Sequence, residues 1–141
     1  MPCNTLHSLM PKIRRASKLE FLDLIEEVSK EIEHKYQKIG ILCTTKTRKD
    51  KLYEKYLQGV QIIYPNEEEQ RDVSEIISRI IRGKATSNDK KYLEKLIRLL
   101  IESGAEKVLL ACTDLGNLIE NNNTLDTTKI LVKAILNKAN S

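Results

Sequence analysis

The stretch KIGILCTT at residues 38–45 decides the fold of this 141-residue chain. Its apolar run is short and flanked by polar residues, which predicts a buried strand over about Lys38 to Cys43. Two similar runs lie further along the chain, VQIIY at 60–64 and EKVLLAC at 106–112. Each predicts a further strand, so the middle of the chain is expected to contain three.

The segments between these strands have helical patterns. Residues 46–59 predict a helix that ends at Gly59. Asn66 precedes three glutamates at 67–69, a pattern typical of an N-cap and first turn, and this helix should end at Gly83. Residues 87–104 repeat the pattern, with Ser87 or Asn88 as the cap. After a loop at 121–123, the stretch from Asp126 predicts an amphipathic final helix.

Strands separated by helices indicate a parallel sheet with right-handed crossovers, which is an α/β fold with a parallel sheet flanked by helices. Its short, wholly apolar strands suit helices on both faces. Ahead of this unit, LEFLDL at 19–24 predicts one more short strand that leads into a helix at about 25–35. That strand has no partner in its own segment, so the front of the chain is expected to belong to another domain.

Composition excludes several classes of function. The chain is 40% hydrophobic and 31% charged, which is typical of a globular protein. The net charge is +4, but Lys and Glu alternate along the helices and no basic stripe is interleaved with aromatics, so no nucleic-acid partner is expected. No apolar run approaches the ~18 residues of a membrane span, and the N-terminus lacks a signal-peptide pattern, so no membrane partner is expected.

The cysteines indicate the compartment. Cys3, Cys43 and Cys112 are far apart and odd in number, which without a secretion signal favours a reducing cytoplasm over a disulfide framework. With only His7 and His34, a Cys/His zinc site is not expected.

Ligands of open α/β sheets bind beyond the carboxyl ends of the strands. Two stretches fall there, CTTKT at 43–47 and ACTD at 111–114, and by analogy PCNT at 2–5 is a third. The hydroxyls of the first suit a carboxylate, although, taken alone, plain capping by threonine is the better explanation. Taken alone, Cys112 is more often a small buried filler, and the functional alternative is a thiol whose pKa is lowered by a following helix N-terminus. For Cys43 the filler interpretation is the better one.

PCNT and ACTD share a pattern, in which a cysteine is followed by Asn or Thr and then by a short polar residue. Two thiols presented in the same manner could face each other across a cleft. Acid/base chemistry on both faces of one carbon requires such a pair.

These residues resemble a known family. PCNTLH is similar to the first cysteine motif of the aspartate/glutamate racemase superfamily, and ACTD to its second, usually Gly-Cys-Thr-Glu. Further similarity lies in ILCTTKT, YPNEEEQ, ESGAEKVLLACTD and LDTTKILVKA, in the family's order over nearly the whole chain. The His after the first motif and the acidic residue after Cys-Thr resemble the aspartate-type branch.

The resemblance implies a cofactor-independent isomerase, an amino-acid racemase acting on aspartate or glutamate without pyridoxal phosphate. Cys3 and Cys112 would exchange a proton with the two faces of Cα. By motif match the substrate-binding residues would be Asn4, Thr5, Thr44, Thr45, Thr47 and Thr113. A basic residue at the end of a helix would bind a substrate carboxylate, and here Arg82 is favoured over Lys84. A homodimer stays open, because the sequence does not give the oligomeric state.

The family comparison also sets the expected domain organisation. Residues 1–35 would be the remnant of an N-terminal α/β domain with the first cysteine motif, residues 36–120 a C-terminal α/β domain with the second, and 121–141 a terminal helix returning toward the first domain. The family's opening strands and helices, with a glycine-rich loop and a basic substrate-binding residue, are expected ahead of PCNT. Without them we expect impaired activity.

Three positions depart from the family pattern: Ala111 and Asp114 are conservative changes, whereas Lys46 adds a charge beside the expected anion site. Hydantoin racemase and maleate isomerase activities are alternatives within the superfamily. Malonate decarboxylation is a third, but the presence of both cysteines favours a two-base reaction. A rival of another class is a catalytically dead remnant that binds a small dicarboxylate or a protein partner.

Overall fold

The sheet has four parallel strands in the order β2-β1-β3-β4 in the computed structural model, which describes residues 3–18 and 21–141. The strands are β1 (Lys38–Cys43), β2 (Gln61–Ile63), β3 (Lys107–Ala111) and β4 (Thr124–Asp126). The three predicted strands and the α/β fold class are confirmed. The fourth strand was not predicted, because its three residues contain a single apolar side chain and form a strand only by pairing with β3.

Six α-helices surround the sheet in the described part of the chain. They are α1 (Met10–Ala16), α2 (Leu24–Glu33), α3 (Thr45–Lys49), α4 (Glu67–Ile81), α5 (Ser87–Glu102) and α6 (Thr127–Ala139). Short 3₁₀ helices cover Thr5–Leu9 and Leu115–Asn117. Gly83 and Gly104, with φ of 67° and 97°, follow α4 and α5 as predicted, since glycine adopts this conformation without a Cβ clash.

The helix caps satisfy N–H groups that lack partners within the helix. Asn66 caps α4 in a reciprocal capping box with Glu69. The predicted cap of α5, Ser87 or Asn88, is wrong, because the N-cap is Thr86. Its backbone is extended and its hydroxyl accepts the N–H of Asp89. Asp126 ends β4 and caps α6.

Two predicted elements are corrected. The helix over 46–59 stops at Lys49, where turns begin and Lys51 adopts a φ of 49°. The turns fold the chain back and bury Tyr53 and Leu57, so tertiary packing overrides helix propensity there. The predicted strand at 19–24 is wrong over the described residues 21–24, because the Asp23 carboxylate accepts two backbone N–H groups and starts α2 instead. Residues 19 and 20 lie outside the described residues.

Alternate residues of the central strands point to opposite faces, and each face has its own core. Leu42, Val108 and Leu110 pack with α4 and α5. On the other face, Ile41 and Leu109 pack with the buried side of α2, with Tyr53 and Leu57, and with Leu131 of α6. The prediction of helices on both faces is therefore confirmed.

The strand order places a topological switch between β1 and β3. The chain leaves β1 for β2 on one side, then returns to add β3 on the other. Connections therefore diverge at the carboxyl ends of β1 and β3, and open α/β sheets bind their ligands in the crevice this creates. Cys43 pairs in register with Ala111. The next residues, Thr44 and Cys112, consequently flank the switch point.

Candidate active site

The first cysteine motif lies against this carboxyl edge. Asn4 is buried, and its Nδ2 donates a hydrogen bond of 3.3 Å to Oγ1 of Thr127, the first residue of α6. The Thr127 hydroxyl donates in turn to the carbonyl of Leu110, at 3.0 Å. Cys3, next to Asn4, is half-buried. The motif that was expected to face ACTD therefore lies at the same edge of the sheet; Pro2 is outside the described residues.

Three of the predicted threonines form a hydroxyl cluster. Thr5 Oγ1 lies 2.9 Å from Thr44 Oγ1 and 3.1 Å from Thr47 Oγ1, and the last two are 3.1 Å apart. Thr44 also accepts the N–H of Thr47 and caps α3, so the capping interpretation of this residue holds. Because α3 covers only five residues, its dipole is small, and the hydroxyls of the three threonines are the donors here.

His7 anchors the backbone of Cys3. The N–H of Leu24 donates to Nε2 at 3.1 Å, so the proton of the neutral ring is on Nδ1, which donates to the Cys3 carbonyl at 2.7 Å. Burial lowers the pKa of His7, although the Cys3 carbonyl and the Asp23 carboxylate oppose that shift. The imidazole therefore joins the first cysteine motif to the start of α2.

Cys112 follows β3, and only 9% of its surface is exposed. Burial raises its pKa to about 11; the nearby Asp114 carboxylate and Cys3 contribute to the rise, and backbone N–H groups oppose it. The alternative of a thiol with a lowered pKa is therefore wrong. No α-helix starts after Cys112, since the next element is a three-residue 3₁₀ turn, and the thiol donates to Asp114 Oδ2 at 3.8 Å.

Hydrogen bonds from Asn4 to Thr127 and from Thr127 to the Leu110 carbonyl hold the residue next to Cys3 at the end of β3, and Cys112 directly follows that strand. Cys43 differs from both. It is completely buried under the second face of the sheet, and burial raises its pKa to about 12. The two motif cysteines thus share one edge of the sheet, and the third lies in the core.

Arg82 lines an open cavity of about 500 Å³ at the same end of the sheet. The cavity is also lined by Thr44, Thr45 and Lys46 and by the hydroxyl-bearing residues Ser74 and Ser78 of α4. Lys84 and the two motif cysteines are not among its lining residues. Lys46 pairs with Asp50 at 2.7 Å. The structure therefore groups Arg82 with the Thr44–Thr45 pair, whereas Thr113 stays with Cys112.

Tyr53 and Thr127 were not predicted as site residues. Thr127 belongs to the LDTTKI stretch that supported the family resemblance, but no role was assigned to it. Tyr53 is fully buried, and its hydroxyl donates to Asn4 Oδ1. No sequence signal indicates this bond, because the two residues come from distant segments.

The described residues contain no group of three or more His, Cys, Asp or Glu side chains that could hold a metal ion. Over the same residues, none of the helices has both the length and the apolar content needed to cross a membrane.

Comparison with known proteins identifies the family. The model of the Asp/Glu/hydantoin racemase family matches residues 1–135, a range that contains both cysteine motifs. The chain belongs to this racemase family. Among its relatives is the broad specificity amino-acid racemase RacX of Bacillus subtilis (strain 168), 30% identical over 124 residues in an alignment that covers 85% of this chain and 53% of RacX.

Solved structures of the racemase family share the fold. An aspartate racemase homologue from Pyrococcus horikoshii OT3 superposes with a TM-score of 0.82 at 24% identity, over 99% of this chain and 65% of that one. The Picrophilus torridus aspartate racemase gives a TM-score of 0.84 at 20% identity, over 99% and 61%. The chain thus spans about half the length of RacX and under two thirds of these structures.

Proposed function

We propose that this chain contains both proton-transfer residues of a cofactor-independent amino-acid racemase of the aspartate/glutamate type, Cys3 and Cys112. One observation supports this most directly. Hydrogen bonds from Asn4 to Thr127 and from Thr127 to Leu110 bring the first cysteine motif to the edge of the sheet where β3 ends and Cys112 follows, beside the topological switch point. A reducing cytoplasmic location is part of the proposal.

The reaction needs only proton transfers. A thiolate removes the Cα proton, so the Cα–H bond breaks, an S–H bond forms, and the electron pair moves into the carboxylate. The second thiol then gives its proton to the opposite face of Cα, and inversion results. With a pKa of about 11, Cys112 is a thiol at neutral pH. In the direction in which the Cys112 thiol donates the proton, Cys3 is the base, and the two residues exchange these roles in the reverse direction.

The enolate-like intermediate needs hydrogen-bond donors already in position. The hydroxyls of Thr5, Thr44 and Thr47 provide a cluster of them at this edge. Asn4 uses one amide N–H for Thr127, and an amide nitrogen has a second. Thr113 lies beside Cys112, and Thr45 Oγ1 is hydrogen-bonded to Ser74 Oγ at 2.8 Å. These groups are assigned to the substrate α-carboxylate.

Hydrogen exchange at Cα tests the proposal. The chain is incubated in D₂O with the L and D forms of aspartate, glutamate and a set of neutral amino acids. We expect deuterium at Cα by NMR and inversion by chiral chromatography, both at a measurable but impaired rate, with dicarboxylic substrates preferred and both activities surviving dialysis against chelator and hydroxylamine. Binding of aspartate without any Cα exchange would favour the rival, a dicarboxylate-binding protein. If the chain neither binds aspartate nor exchanges the Cα proton, both hypotheses are refuted.

Arg82 should govern the preference for a side-chain carboxylate. Replacing it with methionine keeps the length but removes the charge, and charge-assisted hydrogen bonds contribute about 1.5–3 kcal/mol. We expect the KM for aspartate to rise about tenfold or more, with little change for a neutral amino acid. Arg98→Met, an exposed site on α5, is the matched control. Equal effects of both substitutions on aspartate would contradict the assignment.

A further inference from the structure

A buried relay of hydrogen bonds connects three distant segments at the sheet edge. The Tyr53 hydroxyl donates to Asn4 Oδ1, Asn4 Nδ2 donates to Thr127 Oγ1, and Thr127 donates to the Leu110 carbonyl. Tyr53 and Thr127 have no exposed surface, and Asn4 is 2% exposed. Water therefore does not compete for these groups.

The chemistry of the groups determines which atom donates and which accepts in each hydrogen bond of this relay. A carbonyl only accepts, so the Thr127 proton must point to Leu110. Its oxygen is then left to accept from Asn4, which must present its nitrogen there and its oxygen to Tyr53. The amide of Asn4 has one orientation in which every partner is satisfied. Loss of the Tyr53 hydroxyl leaves a buried carbonyl oxygen without its donor, which is unfavourable.

The relay begins at Tyr53, in the turn segment after α3, and ends at Leu110, two residues before Cys112. Asn4, in the middle of the relay, is joined to Cys3 by a peptide bond. We propose that Tyr53 and Thr127 are positioning residues that hold Cys3 at its working separation from Cys112. They act through Asn4 and do not touch the substrate. The inference rests on the proposed racemase function, and it adds two residues to that site.

Tyr53→Phe tests the proposal by removing one oxygen from the core while the ring stays. A misplacement of about 1 Å can cost on the order of a hundredfold in rate. We therefore expect kcat for Cα exchange to fall about 10- to 100-fold while KM changes little. Thr127→Val should behave alike, and Thr127→Ser, which keeps the hydroxyl, should restore most of the rate. Tyr92→Phe is the matched control, since its hydroxyl donates to Asp72 on the α4–α5 side.

A second measurement does not depend on turnover. A short bifunctional thiol reagent, dibromobimane, is added at pH 9, and the Cys3–Cys112 cross-link is quantified by mass spectrometry. We expect wild type and Tyr92→Phe to cross-link efficiently, and Tyr53→Phe and Thr127→Val at least several-fold less, with unchanged circular dichroism. Cross-linking that depends on Tyr53 in a chain without Cα exchange would support positioning and refute the racemase proposal. Wild-type cross-linking in Tyr53→Phe would overturn the inference.

Discussion

Replacing Cys112 or Cys3 with serine should abolish racemisation while leaving the fold intact. A positioned general acid or base contributes about 10²- to 10⁴-fold to a rate, and a serine hydroxyl is far less acidic than a thiol of pKa about 8.5. We expect inversion, measured by chiral chromatography, to fall by at least that factor in each variant. The reason is that inversion uses both faces of Cα, and each variant retains a proton-transfer group on only one.

The two variants should differ in the enantiomer that they still exchange. With Cys3 alone, a substrate whose Cα proton faces Cys3 can lose that proton and regain deuterium on the same face, without inversion. Cys3→Ser should show the converse preference for the opposite enantiomer. Cys43→Ala is the control, because Cys43 is fully buried in the core. Undiminished inversion in either serine variant would rule out the two-cysteine mechanism.

Alkylation of Cys112 by iodoacetamide should rise about tenfold per pH unit between pH 7 and 10. Only the thiolate reacts, and a pKa of about 11 leaves about one thiol in ten thousand ionised at pH 7. Peptide mass spectrometry follows each cysteine separately. Cys43, completely buried and with a pKa of about 12, is the internal control and should stay unmodified while the protein is folded.

Asp114→Asn refines this test. The Asp114 carboxylate accepts a hydrogen bond from the Cys112 thiol, and its negative charge raises the pKa of that thiol. Its neutral amide should shift the midpoint of the alkylation profile to lower pH and speed the reaction at pH 8 several-fold. Asp72→Asn, on α4 beside Tyr92, is the matched carboxylate control. A rate for wild-type Cys112 that is already constant below pH 9 would contradict the raised pKa.

Much of the fold could be predicted because its signals are local. The apolar run at 38–43 forms a strand with the predicted limits, and the Asn66–Glu69 capping box begins α4 where expected. Predictions failed where packing decided the outcome. Residues 46–59 have good helical propensity, yet burial of Tyr53 and Leu57 folds them into turns after Lys49. β4 is a strand only because β3 pairs with it.

The sequence by itself determined the strands β1 to β3, the long helices α4 and α5, and the two cysteine motifs that place the chain in its racemase family. Only the tertiary structure decided the surroundings of those motifs. The relay joins Tyr53 to Asn4 across 49 residues and Asn4 to Thr127 across 123. The pKa of Cys112 likewise depends first on burial beneath other segments. Periodicity and capping act over a few residues, whereas burial and long-range hydrogen bonds exist only once distant segments have packed together.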